Sequence, residues 1–309
     1  YLRWSAKGPR DGELVFVSGH PGSTGRLLTL AQMEFLRDVR YPMVMKALGG
    51  RRKVLQDFSA RGTEEARVGA DDLYSVENSL KAYTGFQSGL LDADLMAAKR
   101  RDEQDLRAKV GANPDWQKQY AGAWGTIGQA QQTFREIFPR YYLLELAGMK
   151  TSRLFVLARH LMRLAEEKTK PNEKRLPAYR DSALPSLELE LFSTAPIYDS
   201  LEIVNLTYAL GLISKELGEN DPLVQKLLAG RTPAQRAEEI VRGTRLKDVE
   251  VRKKLATGGT EAINTSDDAM IALARLVEPE ARAAHKRYED EVEGVEKSQG
   301  TLVAKALFA

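Results

Sequence analysis

Few of the usual reactive side chains are available to this chain. It contains no cysteine, and its three histidines stand far apart at His20, His160 and His285. Thiol nucleophiles, disulfides and Cys-based zinc sites are thereby excluded. No histidine is paired with another at i+3 or i+4, so no metal and no cofactor is expected. His20 lies in a glycine-rich turn without a nearby carboxylate and nucleophile to make it a catalytic base. His160 flanks Leu157 and Leu161 on an amphipathic stretch and reads as a packed or rim residue. His285, among Arg282, Lys286 and Arg287, reads as part of a solvated helix.

The glycine-rich segment Gly19-His20-Pro21-Gly22-Ser23-Thr24-Gly25-Arg26 follows a β-rich run, Leu14-Val15-Phe16-Val17, and precedes a helical pattern. Strand, glycine turn and helix in that order can cradle a phosphate. The phosphate loop, however, closes on Gly-Lys-Ser/Thr, and here the closing residues are Gly25-Arg26-Leu27-Leu28, without the lysine or the magnesium-binding hydroxyl. The segment reads instead as a tight turn in which glycine supplies positive φ, Pro21 fixes the approach and Arg26 pairs locally with a carboxylate. Basic runs at Arg51-Arg52-Lys53, Lys99-Arg100-Arg101 and Arg252-Lys253-Lys254 stand beside acids such as Asp57, Asp102 and Asp248. That is the pattern of a solvated, paired helix face, and nucleic acid is not expected as a partner.

The stretch Ser75-Val76-Glu77-Asn78-Ser79-Leu80-Lys81-Ala82-Tyr83-Thr84-Gly85 carries a different possibility. If Val76, Leu80 and Tyr83 face a helical partner, the helical step of about 100° turns Asn78 to the opposite side, with Lys81 one turn away on the same outer face. An outward amide is ordinarily solvated. It gains a use only when another domain lies against it.

These residues have to be positioned by a mostly helical scaffold. The chain has 309 residues, 43% hydrophobic and 29% charged, with 46 Lys plus Arg against 43 Asp plus Glu. Such a composition suits a globular protein with a sizeable core, and the net charge of +3 is a small remainder of interspersed signs. No unbroken apolar stretch reaches the roughly 18 residues of a membrane span. The run at 14–17 predicts a buried strand whose ladder partners lie outside this sequence. From Thr29 onward apolar residues recur at three and four. Leu73, Val76, Leu80, Tyr83, Gln87 and Leu90 form the seam of a helical hairpin or coiled coil. Helices are predicted at 115–138, opened by Asn113-Pro114-Asp115 and stopped by Pro139, and at 151–168. Lys168 to Pro185 reads as loop. The segment 198–217, apolar nearly all round, predicts a helix in the middle of a bundle. Shorter helices follow at 221–229, 232–242 and 246–256, with Asp221-Pro222 and Thr232-Pro233 as caps. Ser266-Asp267-Asp268 opens the last pair, 266–277 and 279–306. The expected fold is mainly α: an elongated multi-helix domain over residues 29–309, with a short β remnant over 1–28.

The strand, the loop of form Gly-x-Pro-Gly-x-Thr-x-Arg and the Glu77-Asn78-x-x-Lys81 segment together resemble the bacterial dipeptidyl-peptidase seven and eleven family of serine exopeptidases. Gly19, Pro21, Gly22, Thr24 and Arg26 are the loop positions that carry the match. The resemblance implies a chymotrypsin-like double β-barrel bearing a Ser-His-Asp triad, with a helical domain inserted between the barrels as a cap over the cleft. It implies that this sequence is a fragment whose triad residues lie outside it, so no catalytic residue is assigned and the fragment alone is expected to be inactive. It implies a peptide substrate, the missing barrels of the same chain as partner, a periplasmic or secreted location, and compatibility with a homodimer when intact. It also implies a role for Asn78, as the asparagine that hydrogen-bonds the free α-amino group of the peptide. The competing reading is a free-standing helical interaction module without enzymatic activity. The orphan strand at 14–17 argues against it.

Overall fold

The computed structural model describes residues 3–19 and 25–309. Residues 14–17 do not form the strand that their composition predicts. They have no ladder partner among the described residues, and Leu14, Val15, Phe16 and Val17 are 79%, 56%, 89% and 91% exposed. No strand occurs among the described residues. β-branched and aromatic residues favour a sheet only where a neighbouring strand takes up their backbone groups, and none is present here. Of the loop positions, Gly19 and Arg26 are exposed, whereas Pro21, Gly22 and Thr24, like His20, lie outside the described residues.

Helices make up the rest. α1 (Leu30–Phe35) starts at Thr29, whose hydroxyl accepts from the Gln32 amide while the Gln32 side chain reaches back to the Thr29 N–H. A π-turn over Leu36–Arg40 leads directly into α2 (Tyr41–Ser59). The wide turn comes just before Pro42, which has no N–H to return to Asp38. α3 (Thr63–Leu91) runs back along α2 for 29 residues, about 44 Å of helix. The predicted seam faces α2: Val76 is 2% exposed, and Gln87 Nε2 donates to the Arg37 carbonyl at 2.9 Å. Close approach at the base of this hairpin needs Gly69, where a β-carbon would come within 3.2 Å of the Phe58 ring.

α4 (Ala93–Ala112), α5 (Pro114–Tyr120) and α6 (Ala123–Tyr141) follow, the first two capped by Asp92 and Asn113. Pro139 does not stop α6. It lies inside the helix, because Phe134, Ile137, Phe138 and Tyr141 are all buried on either side of it. Each buried large side chain contributes about 1.5–3 kcal/mol, so the packed face outweighs the roughly 3 kcal/mol that an interior proline costs. A π-turn over Tyr142–Leu146 extends α6, and α7 (Arg153–Glu167) carries the most one-sided apolar face.

After the loop come α8 (Leu184–Leu191) and α9 (Asp199–Leu217). α9 is central, packing against α2, α3, α6 and the helices that follow it, α10 (Pro222–Leu228) and α11 (Pro233–Gly243). Gly218, at φ 91°, ends α9 in a conformation that side chains avoid. α12 (Val249–Thr265) runs beyond the predicted 256 but is broken at Gly259, φ 61°. α13 (Ala269–Tyr288) passes through Pro279, so the predicted break there is absent, again with Val277, Glu278 and Ala281 buried around the proline. A π-turn over Glu289–Glu293 joins α13 to α14 (Gly294–Phe308).

Two cores result. The larger gathers α1, α2 and α6 to α13. The smaller is built from Val110, Tyr120, Ala123, Trp124 and Ile127 against Val303 and Ala306 of α14. Arg26 to Thr29 line a small cavity together with Val303 and Leu307 of α14.

Candidate functional site

Asn78 sits on the face of α3 turned away from α2. It is exposed, and its amide has no hydrogen-bond partner among the described residues. Two and three turns further along the same stripe, Gly85 and Gly89 have open space where a β-carbon would stand. Lys81, one turn from Asn78, is exposed and unpaired with any carboxylate among the described residues. Tyr74, 74% exposed, lies one turn before Asn78. This outer face therefore carries two polar groups, Asn78 and Lys81, that bond no other described residue.

Gly85 and Gly89 also form one wall of a cleft of about 780 Å³ between α3, the α1–α2 junction, α6 and α14. Tyr41, Tyr83, Phe86, Phe134 and Tyr288 supply aromatic walls, with Phe134 and Tyr288 5.0 Å apart between ring centres. Burial pushes the Tyr288 hydroxyl up to about 12, the nearby Glu296 adding to the shift and Arg40 opposing it. Glu296 Oε1 accepts from Gln32 Nε2 at 2.9 Å and from Gln131 Nε2 at 2.8 Å. Asn78 is not among the residues that line this cleft.

The histidines do not assemble a catalytic unit. His160 Nδ1 meets the Tyr179 hydroxyl at 2.9 Å, and burial holds the imidazole below its ordinary value. His285 is less solvated than its neighbours suggest: its ring lies 3.2 Å from Glu289 and 4.0 Å from Glu145. No serine or threonine hydroxyl bonds either ring among the described residues. No cluster of three metal-binding side chains occurs there either.

The basic runs are neutralised only in part. Arg51 pairs with Asp72 at 2.8 Å, Lys53 with Asp57, and Lys253 with Glu250. Arg252 departs from the expected solvated face. It is 1% exposed and donates to the Ser193 carbonyl at 2.8 Å.

A buried ion network escaped the sequence reading altogether. Arg163 donates to both oxygens of Glu145 and both of Glu278 at 2.6–3.0 Å, and Arg159 lies 3.6 Å from each carboxylate. Burial alone would push Glu145 up, but hydrogen bonds from Arg163 and the two guanidinium charges outweigh it and hold the carboxyl below its ordinary value. Arg159, lacking full hydrogen bonds, is driven down to about 10 by burial and by the charge of Arg163. The i,i+4 spacing of Arg159 and Arg163 on an apolar face was the available signal. Its acidic partners are distant in sequence.

No helix among the described residues is long and apolar enough to cross a membrane. The family model described as Peptidase S46 matches residues 1–309. An Asp/Glu-specific dipeptidyl-peptidase of Shewanella putrefaciens is 30% identical over 188 residues, covering 60% of this chain and 24% of that protein. The crystal structure of Porphyromonas endodontalis DPP11 superposes with a TM-score of 0.60 at 17% identity, over 94% of this chain and 41% of that one. The same protein in complex with the dipeptide Arg-Glu gives 0.64. The chain thus spans about a quarter of the curated relative it matches and well under half of the solved one. With its full length covered by that family model, the chain belongs to the peptidase S46 family.

Proposed function

We propose that this chain is the helical cap domain of a serine-type dipeptidyl aminopeptidase, and that Asn78 is its contact with the free α-ammonium of the peptide. The observation that carries the reading is Asn78 itself, an unpartnered amide on an open stripe of α3 at the position the family resemblance assigns to amine recognition. An amide oxygen accepts from an ammonium, and a helical wall beside it limits how much chain can extend past the amino end. Both favour removal of dipeptides over internal cleavage. The exposed apolar run Leu14–Val17 offers itself to strands of a neighbouring domain. On this reading the Ser-His-Asp triad is supplied from outside these residues, the chain alone is inactive, and the intact enzyme works in the periplasm or outside the cell.

The test is Asn78→Ala in the intact protein. A hydrogen bond to a charged group contributes about 1.5–3 kcal/mol, so kcat/KM on free dipeptidyl amides is expected to fall about ten- to a hundred-fold. Amino-blocked peptides should lose little further. The melting temperature should hardly move, because truncating an exposed helix side chain changes stability by roughly 0.5 kcal/mol or less. Equal kcat/KM for variant and parent would leave Asn78 an ordinary solvated residue.

A further inference from the structure

The cleft beside α3 holds two opposite charges, Arg40 and Glu296, that form no ion pair with each other or with any other described residue. Glu296 is held from one side only: both amide donors, Gln32 and Gln131, bond its Oε1, and Oε2 has no partner among the described residues. The holding is rigid. Gln131 is 2% exposed, and Gln32 is itself fixed by the α1 cap, its Oε1 accepting from the Thr29 N–H at 2.9 Å. Neutral donors orient the carboxylate without cancelling its charge, which is how a site for a cation is built. Arg40 lines the same cleft from the α1–α2 junction. Both charges stand at π-turns, Arg40 inside the one at 36–40 and Glu296 in the first turn after the one at 289–293. Such turns cost hydrogen-bond geometry and recur at functional sites. Between the charges the walls are aromatic, with Phe86 56% exposed at the mouth.

We propose that this cleft binds a small zwitterion with an apolar or aromatic side chain, of the short-peptide or amino-acid class. Its α-ammonium meets Glu296 Oε2, its α-carboxylate meets Arg40, and its side chain lies among Tyr41, Phe86 and Tyr288. A cleft of about 780 Å³ is of the size that takes such a ligand, and ammonium groups gain further from aromatic faces. The site is distinct from Asn78, so it stands or falls separately from the amine contact proposed above.

The experiment is calorimetric titration of the 309-residue chain with the dipeptide Leu-Phe, with its N-acetyl and C-amide derivatives, and with free phenylalanine. It reads binding and needs no hydrolysis. Saturable binding of Leu-Phe is expected, with about tenfold or greater loss on blocking either end. Glu296→Gln should reproduce the loss seen on acetylation and add nothing to it, and Arg40→Gln should do the same for amidation. Tighter binding of Leu-Phe than of phenylalanine would assign the source as a peptide, and the reverse order a free amino acid. No saturation at millimolar ligand, or equal binding of free and blocked peptides, overturns the proposal without any variant. Unchanged binding by folded Glu296→Gln and Arg40→Gln chains overturns it as well.

Discussion

Arg163 donates four hydrogen bonds to two carboxylates that come from the π-turn after α6 and from α13, so one side chain on α7 joins three separate stretches of the core. Breaking such a buried pair strands a charge, and Glu145→Gln is expected to cost about 3–5 kcal/mol in chemical denaturation. The same pairing sets a pH dependence. Because Glu145 is held below its ordinary value of 4.5 in the fold, its stabilisation is complete above that pH and is lost as the pH falls through the lower, folded value. The parent chain should therefore lose stability steeply below about pH 4.5, with a shallower slope in Glu145→Gln. A parent and variant with parallel acid profiles would show that the carboxylate is not ionised in the fold. The two arginines one turn apart on an apolar face hinted at this network, but its acidic partners were not legible, since charged residues fill the helices everywhere and only tertiary packing selects the few that are buried. The outward position of Asn78 was legible, because a seam of apolar residues fixes the opposite face of its helix.

Helix starts were the most legible elements. Asn113, Asp221, Thr232 and Asp268 all cap as their sequence context predicts, each accepting from amides in the first turn. A short polar side chain before a helix acts locally, so local sequence suffices to find it. Their energetic weight is not equal. Thr232 is exposed and Asp268 is 2% exposed, where it also accepts from the Thr244 hydroxyl and the Arg245 N–H. Thr232→Ala should cost about 1 kcal/mol and Asp268→Ala more than about 2, measured by denaturant midpoints. Costs in the reverse order would refute that ranking. Helix ends were less legible: Pro139 and Pro279 stop a helix only when its next turn has nothing to bury, and here both next turns do. The strand at 14–17 failed for the converse reason, a local preference without a partner. Its amides should exchange far faster than those of Val204 to Ile213 in α9, and equal protection would reveal a partner within the chain.

At the scale of the whole molecule, the proposed division of labour predicts that the 309-residue chain folds by itself yet releases no dipeptide from reporter amides. Its far-ultraviolet circular dichroism should be that of a helical protein. Turnover by the purified chain that persists across independent preparations would place a catalytic group within it. The helical architecture was readable because the seams of α3 and α9 are long and regular. The division into two cores was not, since it depends on α14 returning to α4, α5 and α6 from the far end of the chain. That division decides what light will report. Of the three tryptophans, Trp124 is buried in the smaller core, Trp116 packs against it and Trp4 is 95% exposed, while the larger core contains none. Intrinsic fluorescence excited at the indole band therefore follows the smaller core alone, while dichroism, summed over all the helices, follows the larger. A denaturation curve recorded by fluorescence should come first if the smaller core opens independently, and the two curves should coincide if both cores melt as one unit.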